Sequence, residues 1–117
     1  NFYKWTTDAL ITQTYGIITY AEVPYNFAQW TNVSINLKTE ASTSITIRIF
    51  DSQGVEKLTF AVNDATNWTV VTLNETQLNA INAGDWTAKQ FKLIFEMTAV
   101  DEASCCLGHI NLSFNRN

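Results

Sequence analysis

Histidine occurs once, at His109, and cysteine twice, side by side, at Cys105 and Cys106. Any Ser-His-Asp or Cys-His nucleophile would have to use that one imidazole. On an extended strand Cys105 and His109 share a face but stand roughly 13 Å apart. Activation of a nucleophile needs about 3 Å, so His109 reads as a surface or edge residue. The same residues are poor zinc ligands. Adjacent cysteines point to opposite strand faces, and structural zinc asks for four ligands with spacers between them. Nor can neighbouring cysteines close a long loop, so no disulfide framework is present. By strand parity Cys106 shares a face with Ile110 and is expected as a small core residue. Cys105 falls on the other face as a surface thiol, available for an intermolecular bridge in an oxidising setting. A strained vicinal disulfide is the remaining arrangement.

Paired carboxylates are the other route to acid–base chemistry. Asp51, Asp64 and Asp85 fall in turns, and Asp101 and Glu102 in the loop from Ala99 to Ser104. No spacing among them demands a shared pocket. Loop carboxylates at one end of a β-sandwich can bind calcium, which makes Asp64, Asp101 and Glu102 the calcium candidates against the alternative of solvated turn residues. No Gly-rich phosphate loop occurs. These residue types call for no cofactor and for a protein that is not an enzyme.

Binding chemistry has better material. The chain carries four Trp and four Tyr. Planar aromatics pack against the apolar C–H face of a sugar, and an indole N–H or phenol O–H serves its polar edge. Trp30 and Trp86 sit at strand or loop boundaries, and Tyr20 and Tyr25 flank Pro24, so these four are the expected platform for a glycan or a partner. Trp68 opens a strand and is expected in the core. Tyr3 and Trp5 are expected to anchor an N-terminal arm, residues 1–9, or to dock it on a partner. N-glycosylation sequons stand at Asn32, Asn67, Asn74 and Asn111.

Strands must position these residues, because period-two alternation recurs along the chain. Val33, Ile35 and Leu37 fall on one face of Thr31 to Lys38. Ile45, Ile47 and Ile49 do so in Ser44 to Asp51, and Leu58, Phe60 and Val62 in Val55 to Val62. The polar stretch Thr39 to Thr43 reads as a hairpin loop, and Gly54 supplies the positive φ of the next turn, so these three segments read as a meander. Trp68 to Leu73 is a short strand. Leu78 and Ile81, three apart, mark a short helical turn near 76–82, with Gly84 as its stop. Phe91, Leu93, Phe95 and Met97 alternate in Gln90 to Met97, as do Ile110, Leu112 and Phe114 in the last strand. Leu10 to Tyr20 reads as one long strand with a bulge at Gly16, broken by Val23-Pro24-Tyr25-Asn26. About seven or eight strands at this spacing make an all-β, antiparallel β-sandwich in one domain, residues 1–117.

Length and charge set the remaining bounds. A chain of 117 residues with 46% apolar content can bury a core of its own. No apolar run approaches the roughly 18 residues that span a bilayer. The N-terminal Asn-Phe-Tyr-Lys-Trp lacks the pattern of a secretory signal, and the missing initiator Met fits a processed chain or an excised module. Only 15% of residues are charged, and the balance is −4. That sign argues against nucleic acid and against an anionic membrane surface. Few charges also leave sheet edges poorly guarded, with Lys38 and Lys57 as the expected gatekeepers.

One pattern is more specific. Ile17 to Phe27 runs a strand into Val23-Pro24-Tyr25-Asn26-Phe27, followed by the strand Asn32 to Thr39. Then come Thr72 to Trp86, the strand Gln90 to Ala99, a loop carrying Asp101, and the closing strand Cys106 to Phe114. From about Tyr15 to Phe114 this order resembles the small jelly-roll-like modules of tailed-phage virions, in decoration or tail-associated proteins. Carbohydrate-binding modules share the layout. The resemblance implies a jelly-roll-like sandwich that acts in a virion or an extracellular assembly through contacts with other protein subunits, as a homo-oligomer or lattice. Glycan binding through the exposed aromatics is the alternative, and a glycosylated surface-filament subunit a second one.

Overall fold

Alternation becomes burial in the computed structural model, which describes residues 2–117. The strands are β1 (Tyr3–Trp5), β2 (Thr12–Glu22), β3 (Phe27–Thr39), β4 (Ser44–Phe50), β5 (Glu56–Val62), β6 (Thr69–Thr72), β7 (Gln90–Val100) and β8 (Cys105–Arg116). One helix, α1 (Glu75–Asn82), lies between β6 and β7. Ile45, Ile47 and Ile49 of β4 meet Val33, Ile35 and Leu37 of β3 in one core with Phe91, Leu93, Phe95 and Met97 of β7. Each aliphatic side chain so buried contributes roughly 1.5–3 kcal/mol relative to exposure.

Two four-stranded antiparallel sheets enclose this core, in the orders β1-β8-β3-β6 and β2-β7-β4-β5. Every connection except β4 to β5 changes sheet, which is the double-sheet jelly-roll arrangement. The expected meander is therefore reduced to the β4–β5 hairpin, because β3 and β4 lie in facing sheets. Alternation marks which side chains point inward, and that marking is the same whether the next strand pairs or faces. The Thr39-to-Thr43 segment is a corner instead of a hairpin loop. Thr39 exchanges hydrogen bonds with Ala65, and Glu40 N–H donates to the Ser104 carbonyl at 3.1 Å.

Two further expectations change. Gly16 marks no bulge, since β2 pairs with β7 in unbroken register from Thr12 to Glu22. Bulges lie between β3 and β8 instead, and the one that places its extra residue on β8 is at Gly108–His109. Ile35 pairs Ile110 and Leu37 pairs Leu107, so Gly108 and His109 together oppose Asn36. That extra residue reverses the parity of β8, and the strand buries Cys105 and Leu107 before it turns Ile110, Leu112 and Phe114 inward.

Helix α1 matches the expected turn at 76–82 and starts with a capping box. Asn74 Oδ1 accepts from Gln77 N–H, and Gln77 Oε1 accepts from Asn74 N–H. Its C-cap is Ala83. Gly84 serves close packing, because a Cβ there would come within 2.9 Å of Asp51 Cβ. The helix braces β3 through Asn82, whose amide accepts from Trp30 N–H at 2.8 Å and donates to the Trp30 carbonyl at 2.9 Å.

Asp51 ties the same end together. Its buried carboxylate accepts backbone N–H bonds from Gln53, Val55 and Asp85. Burial alone would raise its pKa, but these donors and Lys57 outweigh burial and hold it below the ordinary value. A depressed folded-state pKa stabilises above the unfolded value, near 4, and that stability is lost as pH falls through the folded value. Replacing Asp51 with Ala strands three donors and is expected to cost about 2–4 kcal/mol in urea unfolding at pH 7. The difference from wild type should shrink below about pH 4. Equal urea midpoints at pH 7 would contradict this role.

Candidate functional site

The expected aromatic platform divides in two. Trp30 is only 3% exposed, at the centre of a cluster with Phe27, Trp86, Phe91 and Phe114 at centroid distances of 4.7–6.3 Å. Trp86 is half-buried in the same cluster, and its indole N–H is already given to the Ile81 carbonyl at 2.9 Å. Trp30 offers no exposed face, its indole N–H being buried without a partner, and Trp86 offers no free donor. Trp30 is pulled inward because Asn82 holds its backbone against α1, a contact between residues 52 apart. Tyr20 and Tyr25 are open instead, at 66% and 79% exposure. They line adjoining clefts of about 570 and 620 Å³ that share Glu22, Ala88 and Lys89. Beside Tyr20 in register stands Lys92, whose ammonium sits 4.3 Å over the Phe50 ring.

Trp68, expected in the core, is 43% exposed. It lies against Gly108 on the outer face of its sheet, with Phe2 edge-on at 5.3 Å. A Cβ at Gly108 would reach within 3.0 Å of the Asn36 carbonyl oxygen and 3.2 Å of the Trp68 ring. The glycine thus makes room for the indole. A glycine inside an alternating strand was the signal for this shelf and for the bulge beneath it.

The reversed parity of β8 also inverts the cysteines. Cys105 faces the core with no exposed surface, so the expected surface thiol and its intermolecular bridge are overturned. Burial pushes its thiol up to about 11. Cys106 faces outward, yet it is buried between Lys4 and Lys38, its partners in register. His109 is exposed on the bulge, away from Cys105. Of the calcium candidates, Asp101 Oδ1 is committed to the Leu10 N–H at 2.9 Å, and Glu102 and Asp64 are exposed in their turns. No group of three His, Cys, Asp or Glu able to hold a metal occurs among the described residues.

The N-terminal arm is tied down where it is described. Strand β1 pairs β8, and Trp5 stacks on Tyr15 at 5.1 Å and donates to the Gln13 carbonyl at 3.0 Å. Tyr3 stays exposed, and Asn1 lies outside the described residues. Among the sequons, Asn67 and Asn111 are exposed, Asn32 is half-buried, and the oxygen of Asn74 is occupied by the helix cap.

The sheet edges distinguish this surface. Strand β1 has three residues and β6 has four, while β5 has seven and carries Glu56 and Lys57. The fourth edge, β2, runs eleven residues with a single charge, Glu22, at its end, and without proline or bulge. Lys38 guards no edge, since β3 lies between β8 and β6. Arg48 of β4 pairs with Glu56 of β5 and with Glu96 of β7, leaving β2 outside the charged group.

Hydrogen-bond parity shows which groups of β2 are unpaired. Asp101 N–H donates to the Ile11 carbonyl, and Val23 N–H donates to the Lys89 carbonyl, at 2.8 and 2.7 Å. In an antiparallel ladder, alternate residues bond to the same side. With no register shift between these two bonds, the odd-numbered residues face β7. Thr12, Thr14, Gly16, Ile18, Tyr20 and Glu22 therefore turn N–H and C=O outward from the sheet. None of the loop or side-chain hydrogen bonds among the described residues ends on those groups. The exposed side chains of Tyr15, Ile18 and Tyr20 lie along the same strand. Compared with family models, curated proteins and solved structures, the chain finds no match in any of the three.

Proposed function

We propose that this protein is a non-catalytic assembly module of a virion or extracellular structure, and that it acts by pairing its β2 edge with another strand. The observation that carries this reading is the unguarded length of β2. A long, flat edge with apolar side chains is a template for strand addition, and proteins that stay monomeric blunt such edges with lysine, proline, bulges or brevity. The other three edges are short or charged, and β2 has none of these defences. Main-chain hydrogen bonds would supply the register, and burial of Ile18 and Tyr20 the affinity. The jelly-roll fold hosts capsid proteins and lectins alike, so the case rests on the edge and not on the fold.

Replacing Ile18 with Pro tests it. The Ile18 N–H faces away from β7, so proline there removes an edge donor without breaking the internal ladder. Sedimentation equilibrium from micromolar to millimolar concentration should show wild type self-associating and Ile18→Pro at least tenfold weaker, with both folded by circular dichroism. Wild type that stays monomeric at millimolar concentration contradicts the reading.

A glycan-binding reading is favoured by one observation, the open rings of Tyr20 and Tyr25 on adjoining clefts. Stacking on a sugar face would then depend on these two, and neither Trp30 nor Trp86 would contribute. Affinity electrophoresis through polysaccharide gels should show retention that Tyr20→Ala and Tyr25→Ala each weaken several-fold. Retention unchanged by both substitutions removes this reading.

A further inference from the structure

We infer that the strand which covers β2 is β2 of a second copy of this chain, antiparallel, with a twofold axis at Ile17. This rests on the assembly reading and names its partner. Antiparallel self-pairing about Ile17 sets Thr12 opposite Glu22, Thr14 opposite Tyr20, and Gly16 opposite Ile18. Every one of these residues is even-numbered, so each meets a residue whose N–H and C=O are also turned outward. A slip of one residue would set them against odd-numbered residues, whose groups are committed to β7. An axis at Gly16 or at Ile18 keeps the parity but leaves Glu22 or Thr12 without a partner inside the strand. The axis at Ile17 alone pairs all the outward groups of both copies.

The side chains agree with this register. Glu22, the only charge on the strand, meets Thr12 and not a second carboxylate, so the copies bring no like charges face to face. Gly16 also finds a purpose. Glycine is a poor strand residue, and nothing in the chain itself asks for one here. Its φ is ordinary, there is no bulge, and a Cβ would touch nothing within 4 Å. In the twofold register Ile18 of the second copy falls beside that gap, and Ile18 of the first falls beside the partner's. The interface is isologous and closes on itself, which gives a dimer with one continuous eight-stranded sheet.

Site-specific cross-linking reads the register directly. Thr12→Cys and Glu22→Cys are made separately, since neither removes Ile18 or Tyr20. Each is treated with a short bis-maleimide, alone and after mixing, and masses are read under reducing conditions. The native cysteines are buried, and wild type in parallel measures their background. In the proposed register the two introduced thiols become neighbours only when one copy carries Thr12→Cys and the other Glu22→Cys. Within a dimer of either variant alone, the two identical thiols stand roughly 34 Å apart, beyond the linker. A covalent dimer at least tenfold more abundant in the mixture than in either variant alone is the expected result. A protein that sediments as a dimer but cross-links no better in the mixture overturns the register while leaving assembly standing. A protein that sediments as a monomer overturns both.

Discussion

A backbone ladder has two sides, and β7 occupies only one side of β2. Much of this molecule's surface character follows from that constraint. Strand β7 pairs β2 along its full length on one flank and β4 from Lys92 to Thr98 on the other. Among the described residues nothing bonds the outward groups of β2, which leaves them to solvent. Those groups are exposed, so the single chain is not destabilised by them in the way a buried orphan would be. They remain available to any strand of matching length.

The rest of the fold holds this edge in place. Ile17 and Ala21 pack against the core from beneath β2, and Trp5 crosses from the opposite sheet to stack on Tyr15. At one end Asp101 caps Leu10, and at the other Val23 closes on Lys89. Both ends of β2 are thus tied to the flanks of β7. The corner between β3 and β4 and the Asp51 turn hold β4 beside β7 in the same way, through Ser104 and Asp85. An ordered strand loses little further conformational freedom on pairing, which favours association.

Facing was legible in the sequence, and pairing was not. Val33, Ile35, Leu37, Ile45, Ile47, Ile49, Phe95 and Met97 are buried as their alternation requires. That signal is local and carries no record of which strand lies beside which, so β3 and β4 read as neighbours although they face each other. Parity also carries through only while the strand is regular. One extra residue at Gly108–His109 exchanged the places of Cys105 and Cys106. The tryptophans depended on contacts between distant residues, Asn82 with Trp30 and Gly108 with Trp68. Part of the candidate site was legible as a shortage of edge charge. Locating that shortage on β2, and clearing Lys38 of any guarding role, needed the strand order.

The most direct test is residue-resolved amide hydrogen exchange in β2, followed by NMR at low and at high protein concentration. In dilute solution the odd-numbered amides from Gln13 to Ala21 should be protected by β7, and those of Thr14, Gly16, Ile18 and Tyr20 should exchange freely. At high concentration the even-numbered amides should become protected too, as the outward side of the ladder is filled. If they exchange as freely at millimolar concentration as in dilute solution, β2 is not the assembly edge and the account fails.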